Sequence, residues 1–213
     1  AYFLNIQYRM DSLIRAFPSR RFYQDRLVDG ENVRERARDL TLVPACLANS
    51  WVKTYCLSMW STANRNHRVI HTAMLMSQGC GQSAEKISLK PITSIGVITP
   101  YQAQKKRIDN LIGNSILMVN TVDSFQGQEK DIIIVSTVRA NTRGAVGFLD
   151  DDRRTNVTLT RSKHLLIVVG HAKTRPQALV GDFYLILHEE KFVYQISEKE
   201  RMNEQVDRIL AGQ

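Results

Sequence analysis

Four short runs of aliphatic and β-branched residues stand out along the chain: Ile95 to Thr99, Ile116 to Val119, Ile132 to Thr137 and Leu165 to Gly170. None alternates apolar with polar positions, so the runs predict strands covered on both faces, as in a parallel sheet. Between the first two lies Tyr101 to Ile112, where Ile108, Leu111 and Ile112 recur at helical spacing behind Pro100, a residue suited to opening a helix. Between the last two, Arg153 to Lys163 reads as a helix through Val157 and Leu159. Strands and helices in this alternation predict an open α/β sheet with right-handed crossovers. Val28 to Lys90 is less regular, with a charged run from Glu31 to Asp39, the stretch Trp51 to Trp60, and a helix predicted from His67 to Ser77. Loops, one strand and one helix are expected there. Beyond Thr174, Phe183 to Leu187 is followed by Met202, Val206, Ile209 and Leu210 at helical spacing. The chain therefore divides into a main domain over residues 1–175 and C-terminal packing helices of the same domain over 176–213.

Composition narrows the class. With 213 residues, 43% of them apolar, the chain can bury a sizeable core, and disorder is not expected. Lys and Arg number 29 against 21 Asp and Glu, a net charge of +8 that suits a polyanionic partner or simply a soluble basic surface. Cys46, Cys56 and Cys80 have no CxxC spacing, so neither a disulfide framework nor a metal site is indicated. No apolar run reaches the roughly 18 residues of a membrane span, and no signal peptide pattern opens the chain, so a cytoplasmic or nuclear location is expected. The pattern is already under way at Ala1, which suggests an excised fragment or a split partner.

Three segments carry chemistry. Val97-Ile98-Thr99-Pro100-Tyr101 places a hydroxyl, a rigid turn and an aromatic ring at a strand's carboxyl end, where open α/β sheets bind ligands. The plainer alternative, a helix capped by Thr99, is compatible with it. Asn120 to Asp131 crowds Thr121, Asp123, Ser124, Gln126, Gln128 and Glu129 into one loop between apolar strands. Hydroxyls of Thr121 and Ser124 can donate to phosphates, Gly127 permits close backbone approach, and Glu129 can accept from a ribose hydroxyl. A simple turn built on Asp123 and Ser124 is the alternative. Asp152 to Lys163 gathers Arg154, Arg161 and Lys163, and a guanidinium suits the charge that grows on a transferred phosphoryl group. Taken alone, this cluster reads better as a solvated basic helix face paired to Asp150, Asp151 or Asp152.

Together with Gln7-Tyr8-Arg9-Met10, these segments resemble, in order and spacing, the second RecA-like motor domain of superfamily 1 helicases. The branch is the one that contains the nonsense-mediated-decay helicase, senataxin and the immunoglobulin-switch-region binding helicase. The likeness runs from about Leu4 to His171 and implies a RecA-like, P-loop NTPase-type fold: the C-terminal motor half, with a mostly parallel sheet flanked by helices. Carried over position by position, it implies that Arg9 and Arg161 reach the γ-phosphate of ATP, Arg161 as the finger. Tyr8 would stack on adenine, with Gln7 beside it on the nucleotide, while Gly127 and Glu129 sense the nucleotide and hold its ribose. Thr99, Pro100, Tyr101, Thr121, Val122, Asp123 and Ser124 would lie near single-stranded RNA or DNA, mostly at phosphates and sugars. Departures from the pattern are Asp11-Ser12 in place of His-Pro, Thr158 and Ser162 in place of alanines, and a poor match over Val28 to Lys90.

The sequence contains no GxxxxGK[ST] loop and no apolar strand ending in Asp-Glu. ATP phosphates and Mg²⁺ are therefore expected to be held mainly by a first RecA-like domain upstream, and this chain is expected to be inactive alone. A helicase-like scaffold without turnover is the alternative. A viral replicase helicase of the nidovirus type shares some of the segments but matches Gln7 to Met10 and Gly127 to Asp131 less well.

Overall fold

The computed structural model describes residues 3–38, 54–59, 94–112, 117–137, 151–170 and 193–196. A two-stranded parallel ribbon pairs β1 (Ile6–Gln7) with β2 (Val28–Asp29), with α1 (Ser12–Phe22) between them and α2 (Glu31–Arg38) after them. Next come β3 (Thr54–Met59), β4 (Ile95–Thr99), α3 (Gln102–Ile112), β5 (Met118–Thr121), a 3₁₀ turn at Asp123–Phe125 and β6 (Lys130–Ser136). The described elements close with α4 (Asp152–Leu159), β7 (Ser162–Gly170) and β8 (Val193–Ile196). Six of these strands form one sheet in the order β5-β4-β6-β7-β3-β8, every neighbouring pair parallel. The unbroken apolar runs predicted this open parallel α/β sheet, and it agrees with the RecA-like fold that the resemblance implies.

Burial follows from those runs. Ile132 to Val135 and Leu165 to Val169 are all buried, because a central parallel strand is covered on both sides. Side chains alternate between faces. One face gathers Ile98, Ile133, Val135, Leu166 and Val168 with Met10, Ile14 and Phe17, Val122 and Phe125, and Leu159. The segment after β1, helix α1, the 3₁₀ turn and α4 therefore share one core. On α3, Ile108 and Ile112 are the buried apolar positions.

Some boundaries moved, each for a local reason. The helix expected to run to Lys163 ends at Leu159, where the Thr160 hydroxyl donates to the Asn156 carbonyl at 2.8 Å, competing with continued helix. Ser162 then enters the sheet opposite Lys130, so Arg161 and Lys163 flank a strand start instead of lying on the helix. Strand β5 continues past Val119 to Thr121 because its ladder with β4 extends to the Thr99–Thr121 pair. The charged run from Glu31 is helical as far as Arg38. In the tail, expected to hold packing helices, the described residues Val193-Tyr194-Gln195-Ile196 instead add a parallel edge strand beside β3, in keeping with their β-branched and aromatic character. The predicted helix from His67 to Ser77, and the apolar positions at 183–187 and 202–210, lie outside the described residues. Among the described residues no helix is long and apolar enough to cross a membrane.

Candidate functional site

Three chain segments are stitched together where β6 and β7 begin. The Asp11 amide donates to the Lys163 carbonyl at 2.9 Å, and the Lys130 amide donates to that of Arg161 at 3.2 Å. Helix α1 starts at this seam because Asp11 caps it, its carboxylate accepting from the Leu13 amide at 3.0 Å. Asp11-Ser12 thus supplies a cap and a first-turn residue where the resemblance pattern has His-Pro. Asn156 donates to the Tyr23 hydroxyl at 2.9 Å, fastening α4 to the end of α1.

This seam brings Arg9, Glu129, Arg161 and Lys163 together. Arg9 Nε lies 2.6 Å from one oxygen of Glu129, and Lys163 Nζ lies 3.2 Å from the other. Arg9 Nη1 also donates to the Thr160 carbonyl at 3.1 Å, which sets it beside Arg161. Arg161 folds back on the end of α4, donating from Nε to the Val157 carbonyl at 2.9 Å and from Nη2 to the Thr160 hydroxyl at 3.3 Å. The hydrogen bond from Arg9 is the main reason the Glu129 carboxyl lies below the ordinary carboxylate range; burial opposes it and Lys163 adds to it. Burial, then the neighbouring Arg9 charge, lowers the pKa of Arg161, while Glu129 and Tyr23 push it back up. Arg161 remains a cation at any physiological pH. The edge is thus a semi-exposed group of three cations around the Glu129 carboxylate, with Asp131 3.9 Å from Lys163 Nζ on its far side, and the surplus positive charge suits an anion.

Tyr8 projects from the same loop and is 62% exposed, its ring lying across the backbone of Gly30. Gly127, on the approach to Glu129, has φ of +81°, a left-handed conformation that favours glycine, with open space around it. Gln7, expected on the nucleotide, turns its carboxamide onto its own loop. Its Oε1 accepts from the amides of Arg9 at 2.9 Å and Met10 at 2.8 Å, and its Nε2 donates to the Met10 carbonyl at 2.8 Å and to Asp29 at 2.5 Å. A carboxamide with four protein partners has no hydrogen bond left for a nucleotide.

The residues expected on the strand lie at the other end of the sheet, where β4 and β5 finish. Thr99 is fully buried, its hydroxyl bonded to Gln104, whose own amide reaches Ser136 at 2.8 Å. Val122 is 2% exposed and belongs to the core. The side chains of these two residues face the core, so a strand would meet them only through their backbone. Pro100 and Tyr101 are partly exposed. The Thr121 and Ser124 hydroxyls lie 3.0 Å apart, Thr121 itself being mostly covered, and exposed Asp123 faces Arg154 Nε at 3.6 Å. The hydroxyls at the two alanine-like positions are both satisfied, Thr158 donating to the Arg154 carbonyl at 2.8 Å and Ser162 to that of Leu165 at 2.6 Å.

Sequence reasoning passed over four residues that hold these sites together. Phe125 was legible as one aromatic in a very polar loop, and Gln104 as one amide on an apolar helix face. Asp29 and Gly30 sit in the least regular region and offered no signal beyond being an Asp-Gly dipeptide. Among the described residues no group of three or more His, Cys, Asp or Glu side chains could hold a metal ion.

Comparison with known proteins joins these features. The family model described as "AAA domain" matches residues 1–173. The chain belongs to this family, as a superfamily 1 helicase domain of the nonsense-mediated-decay and senataxin branch. It is 35% identical over 187 residues to the regulator of nonsense transcripts 1 homolog of Neurospora crassa, covering 80% of this chain and 16% of that protein. To the ATP-dependent helicase NAM7 of Saccharomyces cerevisiae it is 32% identical over 205 residues, covering 88% and 20%. To helicase sen1 of Schizosaccharomyces pombe it is 35% identical over 184 residues, covering 80% and 11%. The chain spans a fifth or less of the length of these three relatives.

Proposed function

We propose that this helicase domain is the second half of an ATP-driven motor on single-stranded RNA or DNA, working in the cytoplasm or nucleus. It supplies cations to a triphosphate held by another RecA-like domain. The observation that carries this reading is the meeting of Arg9 and Arg161 around Glu129 at one sheet edge. The γ-phosphate would replace the carboxylate as the partner of Arg9, and Arg161 would exchange its bonds to Val157 and Thr160 for the charge developing in the transition state. Glu129, still neutralised by Lys163, would then accept from the ribose, and Tyr8 would offer its exposed ring to the adenine. At the far end, Pro100, Tyr101, Thr121, Asp123 and Ser124 would follow the strand through its backbone. Mg²⁺ and the β-phosphate fall to the other domain, because these 213 residues contain no phosphate-cradling loop.

The test is Arg161→Ala in the intact protein, read by strand-stimulated ATP hydrolysis and by strand affinity. Turnover should fall by about 10³-fold or more, the scale of an arginine finger, with strand affinity nearly unchanged. Near-normal turnover would refute the finger assignment. A wild-type protein that binds the strand and never hydrolyses ATP would establish a scaffold instead. The 213-residue chain by itself should show no hydrolysis above background.

A further inference from the structure

The loop that carries Tyr8 and Arg9 is held by residues that touch neither nucleotide nor strand in the reading above. Gln7 and Asp29 face each other across the β1–β2 ribbon, in register. The Gln7 carboxamide closes over its own loop, taking the Arg9 and Met10 amides on its oxygen and giving its nitrogen to the Met10 carbonyl and Asp29. Asp29 is 9% exposed and collects two further donors, the Ser12 hydroxyl at 2.7 Å and Arg15 Nε at 2.8 Å. Arg15 also donates to the Leu27 carbonyl at 2.9 Å. Burial pushes the Asp29 carboxyl up, but the hydrogen bonds from Gln7 and Ser12 and the charge of Arg15 outweigh it and hold the group ionised. The loop is therefore buckled to the ribbon through Gln7 and to α1 through Asp29.

The next residue fixes the aromatic ring. A Cβ on Gly30 would come within 2.4 Å of Tyr8 Cδ1, 2.5 Å of Cε1 and 3.2 Å of the Gln7 carbonyl. Gly30 does not use the left-handed region, so its lack of a side chain serves space alone. Asn32 adds a bond from its amide to the Tyr8 carbonyl at 3.0 Å. One platform thus sets the guanidinium and the ring by separate contacts.

We propose that Gln7, Asp29 and Gly30 are positioning residues for ATP turnover. Gln7 with Asp29 fixes the direction of Arg9, and Gly30 fixes the seat of the Tyr8 ring. The inference rests on the nucleotide-edge reading and adds a division of labour to it. An arginine that must meet a phosphate in the transition state loses much of its effect when it is displaced by about 1 Å, whereas a displaced stacking ring weakens ground-state binding.

The test uses the intact protein at saturating strand, with ATP titrated, kcat and KM separated, and thermal unfolding followed alongside. Gln7→Met keeps the length of the side chain and removes all its hydrogen bonds; it should lower kcat about tenfold or more with KM for ATP within about twofold. Gly30→Ala should do the reverse, raising KM about threefold or more with kcat nearly intact and little change in unfolding temperature, since an exposed ring can swing aside. Asp29→Asn keeps the shape and some acceptor capacity, so it should lie between wild type and Gln7→Met in kcat, and it stands in for Gln7→Met if that variant loses its fold. Ile108→Ala, on α3 and outside this network, serves as the stability comparator, lowering the unfolding temperature while retaining turnover. If Arg9→Ala is inactive but Gln7→Met and Gly30→Ala keep wild-type kcat and KM, the positioning roles are overturned and the edge reading stands. If Arg9→Ala turns over normally, the edge reading falls and takes this inference with it. A loss of kcat in Ile108→Ala as large as in Gln7→Met, at matched stability, would also overturn the inference.

Discussion

Phe125 is the residue whose removal has the most calculable consequence. It closes the 3₁₀ turn after β5, has no exposed surface, and packs in one cluster with Ile98, Val122 and Ile133. Phe125→Ala empties a ring-sized space on the sheet face above Gly96 of β4 and beside Ile133 of β6, and the hydrogen-bonded strands beneath cannot rise to fill it. A buried Phe→Ala change costs about 3–5 kcal/mol, and a site that cannot collapse belongs in the upper half of that range. Each 1.4 kcal/mol is a factor of ten in an opening equilibrium, so amide exchange through global opening should speed up by roughly 10³ to several times 10³. Hydrogen exchange read by mass spectrometry on peptides spanning Ile132–Val135 and Leu165–Val169 of the intact protein measures this directly. Phe125→Leu, which refills part of the space, should show a clearly smaller effect. Acceleration below about tenfold in Phe125→Ala would mean that the ring does not anchor the loop, and the packing argument would be wrong.

Two further outcomes follow from single groups. The folded-state pKa of Asp29 is depressed, so the unfolded chain binds its proton more tightly. Its contribution to stability is complete above about pH 4, the ordinary carboxylate value, and is lost as pH falls through the lower folded value. The gap in unfolding temperature between wild type and Asp29→Asn should therefore be constant near neutrality and shrink in acid; a gap that widens in acid would contradict the sign. Gly127→Ala meets no neighbour but must hold φ near +81°. That strain costs about 1 kcal/mol, lowering the unfolding temperature by about 2–4 °C, and an unchanged temperature would show that the turn relaxes freely.

The central sheet was legible because continuous aliphatic runs such as Ile132 to Val135 admit few other structures of that length. The seam of β6, β7 and the segment after β1 was legible only through motif order. No periodicity brings Arg9 to Glu129, which lies 120 positions away, since such contacts depend on topology rather than local pattern. Two kinds of residue were not legible. Polar side chains in ligand-like loops, Thr99 and Gln7, turned out to bond inward, because a sharp loop must first satisfy its own amides and carbonyls. Asp29 and Gly30 stayed hidden because a two-residue strand leaves no periodic trace.

The positions of the two candidate sites constrain how one can influence the other. The strand candidates stand where β4 and β5 end, and the nucleotide candidates where β6 and β7 begin. The seven residues of β6 put roughly 20 Å between those levels at 3.3 Å each, beyond the reach of any side chain. The segment from Val122 to Glu129 runs from one level to the other, and its midpoint is held in the core by Phe125. A segment held at its centre transmits displacement as a lever and cannot slacken at one end without tilting at the other. Strand grip and nucleotide edge should therefore move as one body against the neighbouring domain, and stimulation of hydrolysis by strand should depend on that anchor. In Phe125→Ala, measured below its own unfolding transition, the ratio of ATPase rates with and without strand should fall toward one even where the strand is saturating. A ratio that stays at the wild-type value in a variant shown by exchange to be loosened would place the coupling outside this segment.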